Sequence, residues 1–192
     1  VAGLPAVEAC LAHFNIMVKR TSQLFVAGPP VVKAALGLEI SKEELGNETI
    51  HVHRSGVINN LAEDEKEAFD ITRRYLSYMP ANVWEMPPRM EPSDDPDGKD
   101  EALLEVIPHD RRKPYDPYQI LGAVLDRDSI FELSPFYGRS RITALARVNG
   151  RVVGAMIDNP NFMGGSMDIA AAEKQTNFVR LCNNFHIPMV YF

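Results

Sequence analysis

Apolar positions change their spacing along this chain, and the changes mark out elements. The runs Phe14-Asn15-Ile16-Met17-Val18 and Leu24-Phe25-Val26 are short and strand-like. Pro29-Pro30 then opens a helix over 31–36, with proline in the first turn, where its missing N–H costs nothing. Ser41 with Glu44 three residues later is a capping box, and Gly46 stops that turn. The longest periodic stretch is 61–79. There Ala68, Phe69, Thr72, Tyr75, Leu76 and Met79 recur at three- and four-residue steps and predict one buried stripe. Asn60 would cap this helix with Glu63 in the capping-box position, Asp70 would pair with Arg74, and Pro80 would end it.

The second half repeats the exercise with clearer signals. A short helix is expected over 118–125 and a strand over 130–133. Two strands, 142–148 and 152–157, flank Asn149-Gly150, whose backbone preference predicts a type I′ hairpin. Asp168 can cap a helix with Ala171, Phe178, Val179, Cys182 and Phe185 on its buried side, and an apolar strand over 188–192 follows. Strand, turn, helix, strand reads as the start of a βαβ unit, its last strand inside a sheet covered on both faces. An apolar ending with nothing after it, and a start at Val1 with no initiator Met or signal-like leader, read as an internal piece of a longer protein.

Composition changes the picture between the halves. Eight of the fourteen prolines fall between Pro80 and Pro117. The organisation expected is therefore a domain part over 1–80, an extended linker over 81–114 pinned by Trp84, and a second domain part from 115 to 192. The net charge of −6 argues against a nucleic-acid partner, which wants clustered Lys and Arg. No apolar run is long enough to span a membrane. Cys10 and Cys182 lie far apart outside any CxxC, suit a reducing compartment such as the cytoplasm or an organelle matrix, and read as core thiols. His51 and His53, two apart, would share a face if on a strand, but no third His or Cys stands near, so no metal site is predicted.

The chain lacks a GxSxG elbow, a GxxxxGK[ST] loop and a GxGxxG fingerprint, and no acid–base pair stands out. Backbone chemistry remains. Gly164, Gly165 and Ser166 follow a strand and precede a helix, where open N–H groups and the positive end of a helix dipole can hold an anion or a developing oxyanion. The same spacing is also that of an ordinary turn.

Five stretches resemble, in order and over nearly the whole chain, the carboxyltransferase (beta) subunits of biotin-dependent acyl-CoA carboxylases of the propionyl-CoA and acetyl-CoA type. They are "MVKRTSQLFVAGPPVVKAALGLEISKEELG", "HRSGVINNLAEDEKEAF", "RKPYDPYQILGAVLD", "ARVNGRVVGAMIDNP" and "GGSMDIAAAEKQTNFVRLCNNFHIP". The resemblance implies an α/β, crotonase-like spiral fold with parts of two duplicated domains. It implies carboxyl transfer from carboxybiotin, carried by a biotin carboxylase or biotin carboxyl carrier partner, to the α-carbon of a CoA thioester, in a homo-oligomer of the hexameric kind. Main-chain oxyanion holes would do the stabilising, and no metal, nucleic acid or membrane is implied. The family's Ala-Gly-Gly-Ala pattern aligns with Ala2-Gly3-Leu4-Pro5, which makes Gly3 and Leu4 the catalytic candidates; Leu4 replaces a glycine and Pro5 has no N–H. Gly164, Gly165 and Ser166 would be substrate-binding, with Ser166 where cysteine is common. A crotonase-type hydratase or isomerase, or a relative that binds CoA or a partner without turnover, is the competing expectation.

Overall fold

Thr72 and Arg73, adjacent in one helix, separate two compact units, Val1–Thr72 and Arg73–Phe192. The structure is a computed structural model that describes residues 1–92, 94–95, 98–110 and 112–192.

The first unit is organised by a parallel strand pair. After helix α1 (Leu4–Ala9), strand β1 (Ile16–Val18) pairs with β2 (Asn60–Ala62), Met17 opposite Leu61. Between them lie α2 (Pro29–Leu36), α3 (Lys42–Gly46) and α4 (Glu48–His51). Ala6, Met17, Leu24, Val52 and Ile58 form the core of this unit. The Ser41–Glu44 capping box is present in full. The run 24–26 forms only an isolated bridge between Phe25 and Ala2, so no strand develops there. His51 ends α4 and His53 lies in the turn after it, so the two do not share a strand face. The His51 Nε2 donates to the Leu24 carbonyl at 2.7 Å, a structural role. Cys10 is exposed rather than buried.

The expected long helix starts later. Residues 60–62 are taken by pairing with β1, so helix α5 runs over Glu65–Leu76. Its cap is shifted accordingly: the Glu67 N–H donates to Asp64 Oδ1 at 2.8 Å, and the Glu67 carboxylate accepts from the N–H of Glu63, the residue before that cap, at 2.6 Å. The single buried stripe does not form. Phe69 and Leu76 are 61% and 58% exposed, whereas Tyr75 is buried. Asp70 pairs with Lys66 at 3.1 Å, while Arg74 donates to the carbonyls of Asp128 and Ile130.

In the second unit the sheet order is β3 (Phe131–Glu132), β4 (Arg141–Val148), β5 (Arg151–Asp158), β6 (Met189–Tyr191), with β6 parallel to β5 and the others antiparallel. The hairpin turn has positive φ at Asn149 (49°) and Gly150 (73°), as a type I′ turn requires. The Asp126 carboxylate accepts from both turn N–H groups, at 2.8 and 2.7 Å, and so fastens the turn. The sheet is covered on two sides. Ile142, Ala146, Val153, Ala155 and Ile157 face helix α7 (Pro117–Val124) through Leu121 and the following Leu125. The opposite face meets helix α8 (Ile169–Asn184) at Gly154, where an added Cβ would lie 2.6 Å from the Cys182 Sγ. Strand β6 is at the sheet's edge rather than inside it, and Tyr191 is 56% exposed.

The proline-rich 80–114 stretch holds a short helix, α6 (Leu103–Val106). It is attached where the Met90 N–H donates to the Gly150 carbonyl at 3.0 Å. Trp84 is 90% exposed, so among the described residues its ring is not packed against a domain surface as expected.

Two substitutions test these contacts. Gly154→Ala should destabilise the second unit by about 1–3 kcal/mol, since its methyl must displace the Cys182 sulfur. Asp126→Ala should cost about 1–2 kcal/mol by leaving two turn donors without a protein acceptor. Urea denaturation followed by circular dichroism measures both.

Candidate functional site

Gly3 and Leu4 lie at the start of α1. Gly3 has φ 72° and ψ −148°, a backbone state reserved for glycine. Its N–H is shared between the carbonyls of Phe25 and Val26, at 3.2 and 3.1 Å. Among the described residues the Leu4 N–H is unused, one of the donors that a helix start exposes. Pro5 brings no donor, and the Leu4 side chain is 70% exposed beside the open amide.

Gly164, Gly165 and Ser166 lie in the second unit, at and just after a single 3-10 turn, Met163–Gly165, ahead of α8. Both glycines have positive φ, 63° and 79°, which lets the chain reverse before the helix. The Gly165 and Ser166 N–H groups are used within the turn, donating to Phe162 and Met163 at 2.9 and 3.1 Å. The Gly164 N–H is unused by these bonds, and nothing lies within 4 Å of where a Gly164 Cβ would be. Asp168 caps α8 as its sequence predicts, accepting from the Ala171 N–H at 2.7 Å. The loop stands on polar supports. Gly165 lies over Asp158, which pairs with Arg141 at 3.1 Å and accepts from the Tyr191 hydroxyl at 2.6 Å. Arg139 stacks 3.8 Å over the ring of Phe162.

Each predicted group is therefore contiguous, one in each unit, and among the described residues each leaves a main-chain N–H unused, Leu4 at the start of α1 and Gly164 in the 3-10 turn ahead of α8. Cys182 is buried, and burial pushes its thiol up to about 12, so it is no nucleophile. Among the described residues, no cluster of three His, Cys, Asp or Glu side chains could hold a metal, and no helix is long and apolar enough to cross a membrane.

The residues that sequence reasoning missed form a polar chain beneath α8 that runs from a buried lysine to an exposed tyrosine. Lys174 is 5% exposed, with Nζ 3.9 Å from Glu132 Oε1 and no hydrogen-bond partner among the described residues. The other Glu132 oxygen accepts from the Tyr118 hydroxyl at 2.7 Å. Burial pushes the Lys174 ammonium down to about 8, against the opposing pull of Glu132. Burial likewise raises the Glu132 carboxyl, opposed by the Tyr118 hydrogen bond and by the Lys174 and Arg139 charges. A signal existed: Lys174 sits three residues after Ala171 and four before Phe178, on the stripe itself.

Comparison with known proteins follows this geometry. Residues 2–192 match the profile of the family described as "Carboxyl transferase domain". The propionyl-CoA carboxylase carboxyltransferase subunit of Haloferax mediterranei is 38% identical over 191 residues, covering 100% of this chain and 37% of that protein. The methylmalonyl-CoA decarboxylase subunit alpha of Veillonella parvula is 37% identical over 191 residues, covering 100% of this chain and 38% of that protein. Crystalline transcarboxylase 12S, solved as a hexamer with hydrolysed methylmalonyl-coenzyme A bound, superposes with a TM-score of 0.93 at 34% identity, over 99% of this chain and 37% of that one. The chain thus spans a little over a third of the length of these relatives. With a shared sequence profile over nearly every residue and the crotonase-like fold of transcarboxylase 12S, this chain belongs to the carboxyl transferase domain family.

Proposed function

We propose that this chain carries part of an acyl-CoA carboxyltransferase, in which main-chain amides bind the oxygens on which charge develops. The observation that carries the reading is the pair of glycine turns, one in each unit, each ahead of a helix and each leaving a donor unused among the described residues. Charge building on a thioester oxygen or a ureido oxygen is stabilised by prealigned N–H groups without any titrating side chain. That agrees with the lack of an acid–base pair in the sequence.

In this reading the roles divide within each turn. Gly3 supplies the backbone turn and Leu4 the donor, with the exposed Leu4 side chain restricting the acyl group that can approach. Gly164 supplies the second donor, Gly165 the reversal, and Ser166 an exposed hydroxyl at the rim. The space over Gly164 suits an approaching ligand oxygen, so the residues fit a biotin or thioester carbonyl. Carboxybiotin, when bound, supplies the CO2. Propionyl-CoA or acetyl-CoA is the proposed acceptor, a biotin carboxylase or biotin carboxyl carrier protein the proposed partner, and a homo-oligomer of the hexameric kind the proposed assembly. The proposed location is the cytoplasm or an organelle matrix. The domain reading is proposed likewise: 1–80 and 115–192 as parts of two duplicated domains, with 81–114 joining them.

A second reading has its own support. The committed Gly3 N–H and the absent Pro5 N–H thin out the first donor set, which favours a relative that binds CoA without turnover.

Calorimetric titration of propionyl-CoA separates these possibilities. Leu4→Pro deletes the open amide at a position where helices accept proline, and should weaken binding by roughly tenfold, about one hydrogen bond. Leu4→Gly should retain binding. Absence of saturable binding of both propionyl-CoA and biotin would overturn the proposal. Binding that Leu4→Pro weakens, without carboxylation of propionyl-CoA when carboxybiotin is supplied, would favour the binding-only relative.

A further inference from the structure

Three attachments hold the first turns of α8, one from β3 and two from the chain segment that follows it. The Tyr137 hydroxyl donates to the Glu173 carboxylate. Gly138 lies so close to the helix that an added Cβ would be 2.7 Å from the Ala170 carbonyl. Glu132 faces Lys174 across 3.9 Å while accepting from Tyr118 of α7. The 164–166 turn runs directly into the Asp168 cap, so wherever these turns of α8 sit, the turn sits with them.

Two of the three attachments are ordinary. The third is not, because an ammonium with three donors and, among the described residues, no acceptor in hydrogen-bond range is buried in it. The side chain is only 2% exposed. Such a charge favours any excursion that wets it, and its neutral form favours staying in place.

We propose that Lys174 is a proton-sensitive clamp for the 164–166 turn: with Nζ charged, α8 loosens readily from β3, and loss of the proton seats the helix and fixes the turn. The groups facing this clamp are Glu132 from β3, Tyr118 from α7 through Glu132, and Arg139 and Tyr137 from the β3–β4 connection. Glu173, Cys182 and Asp168 lie on or at the cap of α8, Asp116 caps α7 beside Tyr118, and Tyr75 of α5 faces Cys182. Lys174 is a positioning residue here; it touches no ligand, and its importance to catalysis rests on the functional reading above.

The sign follows from linkage. The folded-state value of Lys174 lies below its ordinary one, so the seated state binds fewer protons than the loosened state between about 8 and 10.5. Seating is therefore favoured progressively as pH rises through that window. For an opening that fully wets Lys174, the opening constant should fall about 20-fold from about pH 7.5 to about pH 9.5.

The experiment uses the 192-residue chain alone. Carbon-13 NMR follows the Lys174 Cε and the Gly164 and Gly165 Cα resonances across this window. The glycine resonances should titrate with the Lys174 midpoint, lose that titration in Lys174→Met, and move to lower pH in Glu132→Gln, where the supporting negative charge is gone. Glycine resonances that stay still, or that titrate unchanged in Lys174→Met, would overturn the proposal. Cys182, two turns further along the same face, offers a measurement without any variant. Its protection against a thiol reagent, read at Cys182 separately from the exposed Cys10 and normalised to an unfolded peptide at each pH, should rise about fivefold over the same interval, the Lys174 effect being partly offset by ionisation of the uncovered thiol, and a flat profile would overturn the proposal. Neither readout involves CoA or biotin, so failure of the clamp and failure of the functional reading are seen separately.

Discussion

The second unit depends on how closely α8 can lie against β5. At Gly154 the sheet presents no side chain, and Cys182 and Phe178 fill the space that a Cβ would need. That one missing methyl sets the height of a sixteen-residue helix over the sheet. The helix height in turn sets both ends of the crossover. At one end α8 begins at the Asp168 cap and holds the glycine turn; at the other it delivers β6 beside β5, Met189 opposite Gly154. A parallel crossover transmits position in this way because its helix and its two strands share one close-packed face.

Backbone amides make a demanding kind of site. A side-chain donor can be added by one substitution, but an open N–H requires the chain to turn, to start a helix and to leave the donor unspent. The two candidate turns meet this demand differently. At Gly3 the distant carbonyls of Phe25 and Val26 take the glycine N–H, and the following residue is left with the open donor. At Gly164 the turn consumes the next two amides and spares the first. Glycine is needed in both places for its positive φ, so the same residue that shapes the turn also clears the approach.

Local chemistry was legible in the sequence wherever one short segment decides its own structure. The Ser41–Glu44 box, the Asp168 cap and the Asn149-Gly150 turn all form as their residues demand. Legibility failed where a distant segment intervenes. Residues 60–62 have a respectable helical continuation, but pairing with β1 takes them, and the helix start moves to the next available cap. Trp84 and Phe69 show the same limit: an apolar side chain announces burial without naming what would bury it, and both are exposed in this chain. Site position was legible only as glycine before a helix. At the first turn, which amide stays open depends on carbonyls far along the chain, those of Phe25 and Val26, and no spacing rule contains them.

Lys174 breaks the rule that its own helix otherwise obeys. Every other buried position on α8 is apolar, namely Ala171, Phe178, Leu181 and Cys182. A methionine would fill the volume with no ionic penalty, and replacing buried ion pairs with apolar residues is frequently neutral or stabilising. The geometry does little to offset the cost, since 3.9 Å is too long for a hydrogen bond and Glu132 already bonds to Tyr118. The charge therefore earns little as glue. A group held at a cost, with its proton affinity drawn toward neutrality and its helix leading back to the glycine turn, is better placed to report or control protonation than to hold the fold together.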